Sequence, residues 1–227
     1  MSSSDNMFGN GEETQEEEMT AFEVIKNLEK AWMNELFSPE LLQPVMEIVD
    51  CLLDQIKATE EACEQLDKSD ISIPIRKMEL ARIRFMIASY MRLRLQKIQK
   101  NVHFLSKQSV EELDSKLTVE EATFLGKYKN NLDKLFSNLA LSHIPERAAN
   151  FSKFGEITGK SDQLDPPMPN INAAVFVKAE EDMRGVFVED EAGRERDEEF
   201  DMEKDSQHIL RYKSVSHLLK NGSVKMI

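Results

Sequence analysis

Glycine is scarce and scattered, eight in 227 residues, with neither G-x-G-x-x-G nor G-x-x-x-x-G-K-[ST]. No loop therefore has the sequence of a phosphate cradle, and the common nucleotide folds are disfavoured. Histidine and cysteine are equally thin. His103, His143, His208 and His217 lie far apart, Cys51 and Cys63 form no C-x-x-C pair, and no H-E-x-x-H occurs, so no stretch has zinc-ligand spacing. No catalytic, cofactor-binding or metal-binding residue can be nominated, and the chain is not expected to be an enzyme. The apolar runs fall far short of the ~20 residues that span a bilayer, and no membrane association is expected. The opening MSSSDNMFGNGEETQEEE has neither the basic nor the apolar region of a secretory signal, so a cytosolic or nuclear protein with free thiols is expected.

What the sequence has in surplus is negative charge, −13 overall, and it is local. Residues 1–20 hold six carboxylates and no base, and residues 178–205 hold thirteen carboxylates against five bases. The remaining body is close to neutral and offers no dominant basic field for bulk nucleic acid. The first segment has almost nothing to bury and is expected to be a disordered acidic tail over 1–19.

Order is expected from Thr20. Thr20 with Glu23 reads as a capping box, Met19 and Val24 as its hydrophobic staple, and Phe22, Ile25, Leu28, Trp32 and Leu36 follow at helical spacing. Ser38-Pro39 reads as the start of a short helical turn, PELL. Ile48, Val49, Leu52, Leu53 and Ile56 mark a second helix over about 45–66, a third runs from Pro74 to about Ser106, and Thr118 with Glu121 opens a fourth. After Pro145 the helical pattern lapses, and Pro166, Pro167 and Pro169 stiffen a linker. INAAVFVKA, GVFVED, SQHILRYK and SVKMI then read as strands. The expected fold class is α+β: a helical domain of about four main helices over 20–145, a linker over 146–170, and a small β-rich domain over 171–227.

The third helix is the most informative. Residues 71–100 contain eight bases and the single acid Glu79, which suggests a DNA-binding helix. At ~100° per residue, however, these bases project all round the axis instead of forming one stripe. Ile75, Met78, Leu80, Ile83, Phe85, Met86, Ile87, Tyr90, Met91, Leu93, Leu95 and Ile98 also fill every sector. A helix apolar all round is surrounded by protein, and four helices of one chain are too few to enclose it, so other chains are expected to supply walls. The alternative is a helix central to a monomeric bundle with snorkelling arginines.

LEKAWMNELFSPELL (Leu28 to Leu42), MELARIRFMIASYMRLRLQKI (Met78 to Ile98) and SQHILRYKSVSHLLKNGSVKMI (Ser206 to Ile227) resemble, in this order, the GINS complex subunit of the Sld-five type. The resemblance covers most of residues 21–227, including Ala31-Trp32, Asn34-Glu35, Ser89-Tyr90-Met91-Arg92 and the terminal Ile227. It implies a non-catalytic, nuclear subunit of a heterotetramer with three other GINS subunits, a helical A domain preceding a β-rich B domain. It also implies that the complex joins the MCM ring and the Cdc forty-five protein in the replicative DNA helicase, touches DNA only indirectly, and docks polymerases and fork adaptors. Relatives usually carry Gly where this chain has Asp205, at a turn of positive φ, a conformation that Asp tolerates better than most residues. Some relatives bind a fork adaptor through an acidic-hydrophobic N-terminal peptide. Here Met7-Phe8 is the only apolar pair before Met19, so docking there is not expected.

The residues nominated for subunit contact are Trp32, Arg82, Phe85, Tyr90, Arg92 and Leu95, with Arg82 and Arg92 expected to be buried against another chain. Trp32 is nominated against the commoner role of a large aromatic at helical spacing, which is intramolecular core. His208, Arg211 and Tyr212 are nominated for docking by the β-rich domain, although Arg211-Tyr212-Lys213 also fits the solvated face of a strand. The competing function is a direct nucleic-acid binder using the basic helix 71–100, with strongly salt-dependent affinity.

Overall fold

A computed structural model describes residues 20–66, 70–139, 168–188 and 198–227. The tail expected over 1–19 and most of the expected linker lie outside these residues. The element order is α1 (Ala21–Phe37), α2 (Met46–Glu64), α3 (Ser72–Lys100), α4 (Val102–Leu105), α5 (Val110–Lys116), α6 (Val119–Leu139), β1 (Ala174–Ala179), β2 (Met183–Val188), β3 (Glu198–Met202), β4 (Gln207–Arg211), α7 (Tyr212–Lys220) and β5 (Val224–Met226). This is the expected α+β plan, with helices followed by small antiparallel sheets.

Both capping boxes are present. Glu23 N–H donates to Thr20 Oγ1 at 3.4 Å while Thr20 N–H donates to Glu23 Oε2 at 2.8 Å. Glu121 N–H donates to Thr118 Oγ1 at 3.2 Å and Thr118 N–H to Glu121 Oε2 at 3.1 Å. The staple partner Met19 lies outside the described residues. Pro74 sits in the first turn of α3, where its missing N–H costs nothing.

Three departures from the sequence reading are physical. PELL is not helical: Ser38 closes α1, its hydroxyl donates to Glu40 O at 2.8 Å, and the chain runs on without helix to Val45. Extension lets adjacent residues point oppositely, Leu41 into the core formed with Ile98, Leu105 and Leu125, and Leu42 against the core of the sheet. The third helix stops at Lys100, not Ser106, and the short helix α5, capped by Ser109, was not anticipated. SQHILRYK is strand only to Arg211. Tyr212 begins α7, which buries Tyr212, Val215 and Leu219 along one face, a helical period that the preceding alternation masks.

Three apolar clusters follow. One joins α1, α2 and the first two-thirds of α3 through Val24, Leu28, Val49, Leu52, Leu80, Met86 and Tyr90. A second gathers Leu41, the end of α3, α4 and α6. The third lies between the sheet and α7, around Val175, Val177, Tyr212, Val215, Val224 and Met226. The three-stranded sheet has order β4-β1-β5, all antiparallel, beside a β2-β3 ribbon. Asp205 has φ 66°, so the turn expected there does adopt the left-handed conformation.

Candidate interaction site

The helix α3 carries two features of interest, one in each half. Its C-terminal half crosses a buried polar node centred on Arg94, which is 0% exposed. Arg94 Nε donates to Glu121 Oε1 at 2.7 Å and Nη2 to Glu121 Oε2 at 2.8 Å, a bidentate fork. The remaining donors reach Leu42 O at 2.9 Å, Lys116 O at 2.7 Å and Glu35 Oε2 at 3.4 Å. The guanidinium also lies over the Tyr90 ring, 5.8 Å from its centroid. Burial by itself would lower the Arg94 pKa, but its bonds to Glu121 and the neighbouring Tyr90 and Glu35 outweigh that and raise it. The group stays charged where its partners need it.

Lys97 extends the node, donating to Glu35 Oε1 at 2.7 Å and Glu40 O at 2.9 Å. Its burial prevails over these partners and lowers its pKa. Glu40 accepts from Tyr212 Oη at 2.7 Å and Lys116 Nζ at 3.2 Å. The node thus ties α1, the segment after it, α3, α5, α6 and the first residue of α7 together.

The N-terminal half of α3 is different. Ile71 precedes it, and along the helix Ile75, Met78 and Phe85 are exposed; Met78 is 74% and Phe85 59% accessible. On another face of the helix an open groove between α2 and α3, about 740 Å³, has Cys63, Leu66, Ile73 and Leu80 on its walls and Glu60, Glu64, Lys77 and Arg84 among its charged residues. Trp32 bridges this half to α1: its indole N–H donates to Ser89 Oγ at 3.0 Å, and its ring meets Phe85 edge-on at 6.1 Å.

The nominated residues therefore separate. Phe85 is exposed, while Trp32 and Leu95 are half-buried and so partly available at the surface. Arg82 and Arg92 are exposed on the surface of this chain, and Arg82 is held by Glu79 one turn earlier at 3.1 Å. The buried arginine is Arg94, and its carboxylates come from this chain. Tyr90 is core, 1% exposed, with its hydroxyl accepting from Val45 N–H at 3.3 Å. Tyr212, 0% exposed, is likewise internal, because its ring fills the sheet core while its hydroxyl reaches Glu40. His208 is half-buried with Nε2 2.8 Å from Ser206 Oγ, and Arg211 is half-buried beside it on β4. Sequence reasoning missed Glu35, Glu40 and Arg94. Glu121 was recognised only as a cap, and Arg94 only as one base among eight.

The chain is thus a helical bundle followed by small sheets, and the family comparisons match both parts. Residues 52–140 match the GINS complex protein helical bundle domain, which places the chain in the class of GINS proteins. Residues 169–227 match the DNA replication complex GINS protein SLD5 C-terminus. The chain is 37% identical over 212 residues to the DNA replication complex GINS protein SLD5 of Mus musculus, covering 92% of this chain and 91% of that relative. It is 36% identical over 219 residues to the Rattus norvegicus protein of the same name, with coverage of 95% and 94%, and 35% identical over 212 residues to the Homo sapiens one, with coverage of 92% and 91%. The chain belongs to the SLD5 family of GINS proteins.

Proposed function

We propose that the chain is a structural, non-catalytic subunit of a heterotetrameric GINS complex in the nucleus, acting in DNA replication. Within it, the chain would help brace the replicative helicase, where GINS joins the MCM ring and the Cdc forty-five protein. The observation that carries this is an exposed apolar stripe on the N-terminal half of α3, where Ile75, Met78 and Phe85 face water. Large apolar side chains clustered on one element mark an interaction surface. The other GINS subunits are the occupants that the family relationship favours. Trp32, Phe85 and Leu95, with Arg82 and Arg92 at the margin, form the proposed subunit-facing group; His208 and Arg211 are a lesser candidate on the sheet.

The nucleic-acid reading gains nothing from the geometry. Four of the eight bases on α3 are engaged within the chain: Arg82 by Glu79, Arg84 by Glu60, Arg94 by Glu35 and Glu121, and Lys97 by Glu35. Co-expression tests the proposal. The chain is expected to aggregate alone and to co-purify in equal stoichiometry with three other GINS subunits. A soluble, folded monomer that ignores those partners contradicts it.

A further inference from the structure

The sheet does not hang free on its linker. The side chains of α1 and the following segment make specific polar contacts with it, and three of these meet backbone or hydroxyl groups at the sheet's margin. Asn34, a buried amide on α1, accepts through Oδ1 from Met226 N–H at 2.8 Å. The donor belongs to β5, which among the described residues pairs with β1 on one side only and so presents its other edge. One turn earlier on α1, Lys30 donates to Gly222 O at 3.0 Å, in the turn that leads into β5, and also pairs with Glu180 just after β1. On the opposite flank Tyr212 Oη donates to Glu40 Oε1 at 2.7 Å, and Leu42 packs against the sheet core.

We infer that these contacts form a clasp: Lys30 and Asn34 of α1 hold the edge of the C-terminal strand while Glu40 holds Tyr212, so the sheet is carried in one fixed orientation on the helices. An unpaired strand edge is ordinarily a template for another strand. Here a helix side chain occupies it, and the N–H that would be left orphaned by removing Asn34 is buried, which makes that bond expensive to lose. The contacts are separated along the chain by about 150 to 190 residues, yet each uses an element that is rigid on its own side. The sheet core of Val177, Val215 and Val224 is built from the sheet and α7, and among the described residues Leu42 is the one apolar residue of the helical part packed against it. Opening the clasp therefore frees the sheet's position without dismantling the sheet. The clasp also fixes where the outer face points, the face that carries Phe176 and Ile209 side by side and exposed. This inference concerns contacts within the chain and does not depend on which subunits cover α3.

The test uses the full chain assembled with its GINS partners, spin-labelled at Cys51 on α2 and at K213C on α7, with the distance read by pulsed electron resonance. One narrow distance distribution is expected for the parent chain and for N34D, whose carboxylate keeps the acceptor. N34A and Y212F are expected to broaden it, and in N34A the Met226 amide exchanges roughly tenfold faster or more. Exchange at Val177, inside the sheet, reports whether the sheet itself is folded and is expected to be unchanged. A broad distribution in the parent chain, or a narrow one in both variants, overturns the clasp. So does a loss of Val177 protection in step with Met226, because orientation would then be inseparable from folding.

Discussion

Arg94 shows what one residue commits a fold to. Its guanidinium is fully enclosed and serves two carboxylates and two carbonyls from four different segments. Removing one partner of such a pair leaves uncompensated charge indoors. Arg94→Met is accordingly expected to cost about 3–5 kcal/mol, read as a drop in the denaturant midpoint. Arg94→Lys is expected to recover little, because an ammonium cannot reproduce the fork on Glu121. Asp205 predicts the opposite sign. With φ 66° it occupies backbone space suited to glycine, and its carboxylate, lowered in pKa by Lys178, is largely solvated. Asp205→Gly should leave the thermal midpoint unchanged or slightly higher, and Asp205→Val should lower it.

At the scale of elements, α1 and α3 each work on two fronts. On α1 the pair between Lys30 and Glu180 has a pH signature. Burial tends to raise the Glu180 pKa, but Lys30 and then Lys225 outweigh it, so the carboxyl titrates below its ordinary 4.5. A carboxyl whose folded pKa is depressed adds stability above its ordinary value, and that stability is lost as pH falls through the lowered one. The hold on the sheet should thus be flat between about pH 6 and 8 and weaken below about pH 4.5. Met226 amide exchange, corrected for its intrinsic pH dependence, reads this, and Lys30→Met should remove the Glu180-dependent part. On α3, Phe85 is exposed and meets Trp32 edge-on, so Phe85→Ala should shift the stability of the chain itself by about 0.5–1.5 kcal/mol. As an interface anchor, the same truncation should weaken association by about 2 kcal/mol or more, near thirtyfold in affinity. A titration of assembly against unfolding separates the two.

Across the whole molecule, the parts legible in sequence were those governed by local spacing. Thr20 with Glu23 and Thr118 with Glu121 announce helix starts that the structure keeps. The all-round apolar character of α3 corresponds to a helix with one face in the core, through Leu80, Ile83 and Met86, and a second apolar stripe, Ile75, Met78 and Phe85, left exposed. The polar node escaped because its members are far apart in sequence: Arg94 meets Glu35 across 59 residues and Glu121 across 27. No periodicity links such residues, and the packing of α3 against α1 and α6 brings them together. Tyr212 escaped for a different reason, since a strand alternation and a helical face share it. The central claim is that the exposed apolar stripe of α3 is covered in the assembled complex. Hydroxyl-radical footprinting of that complex measures this with internal standards. Met78 and Phe85 should be oxidised as slowly as the buried Met86 and Tyr90 if other subunits enclose the helix. Oxidation of Met78 and Phe85 at the rate of freely exposed side chains would contradict it.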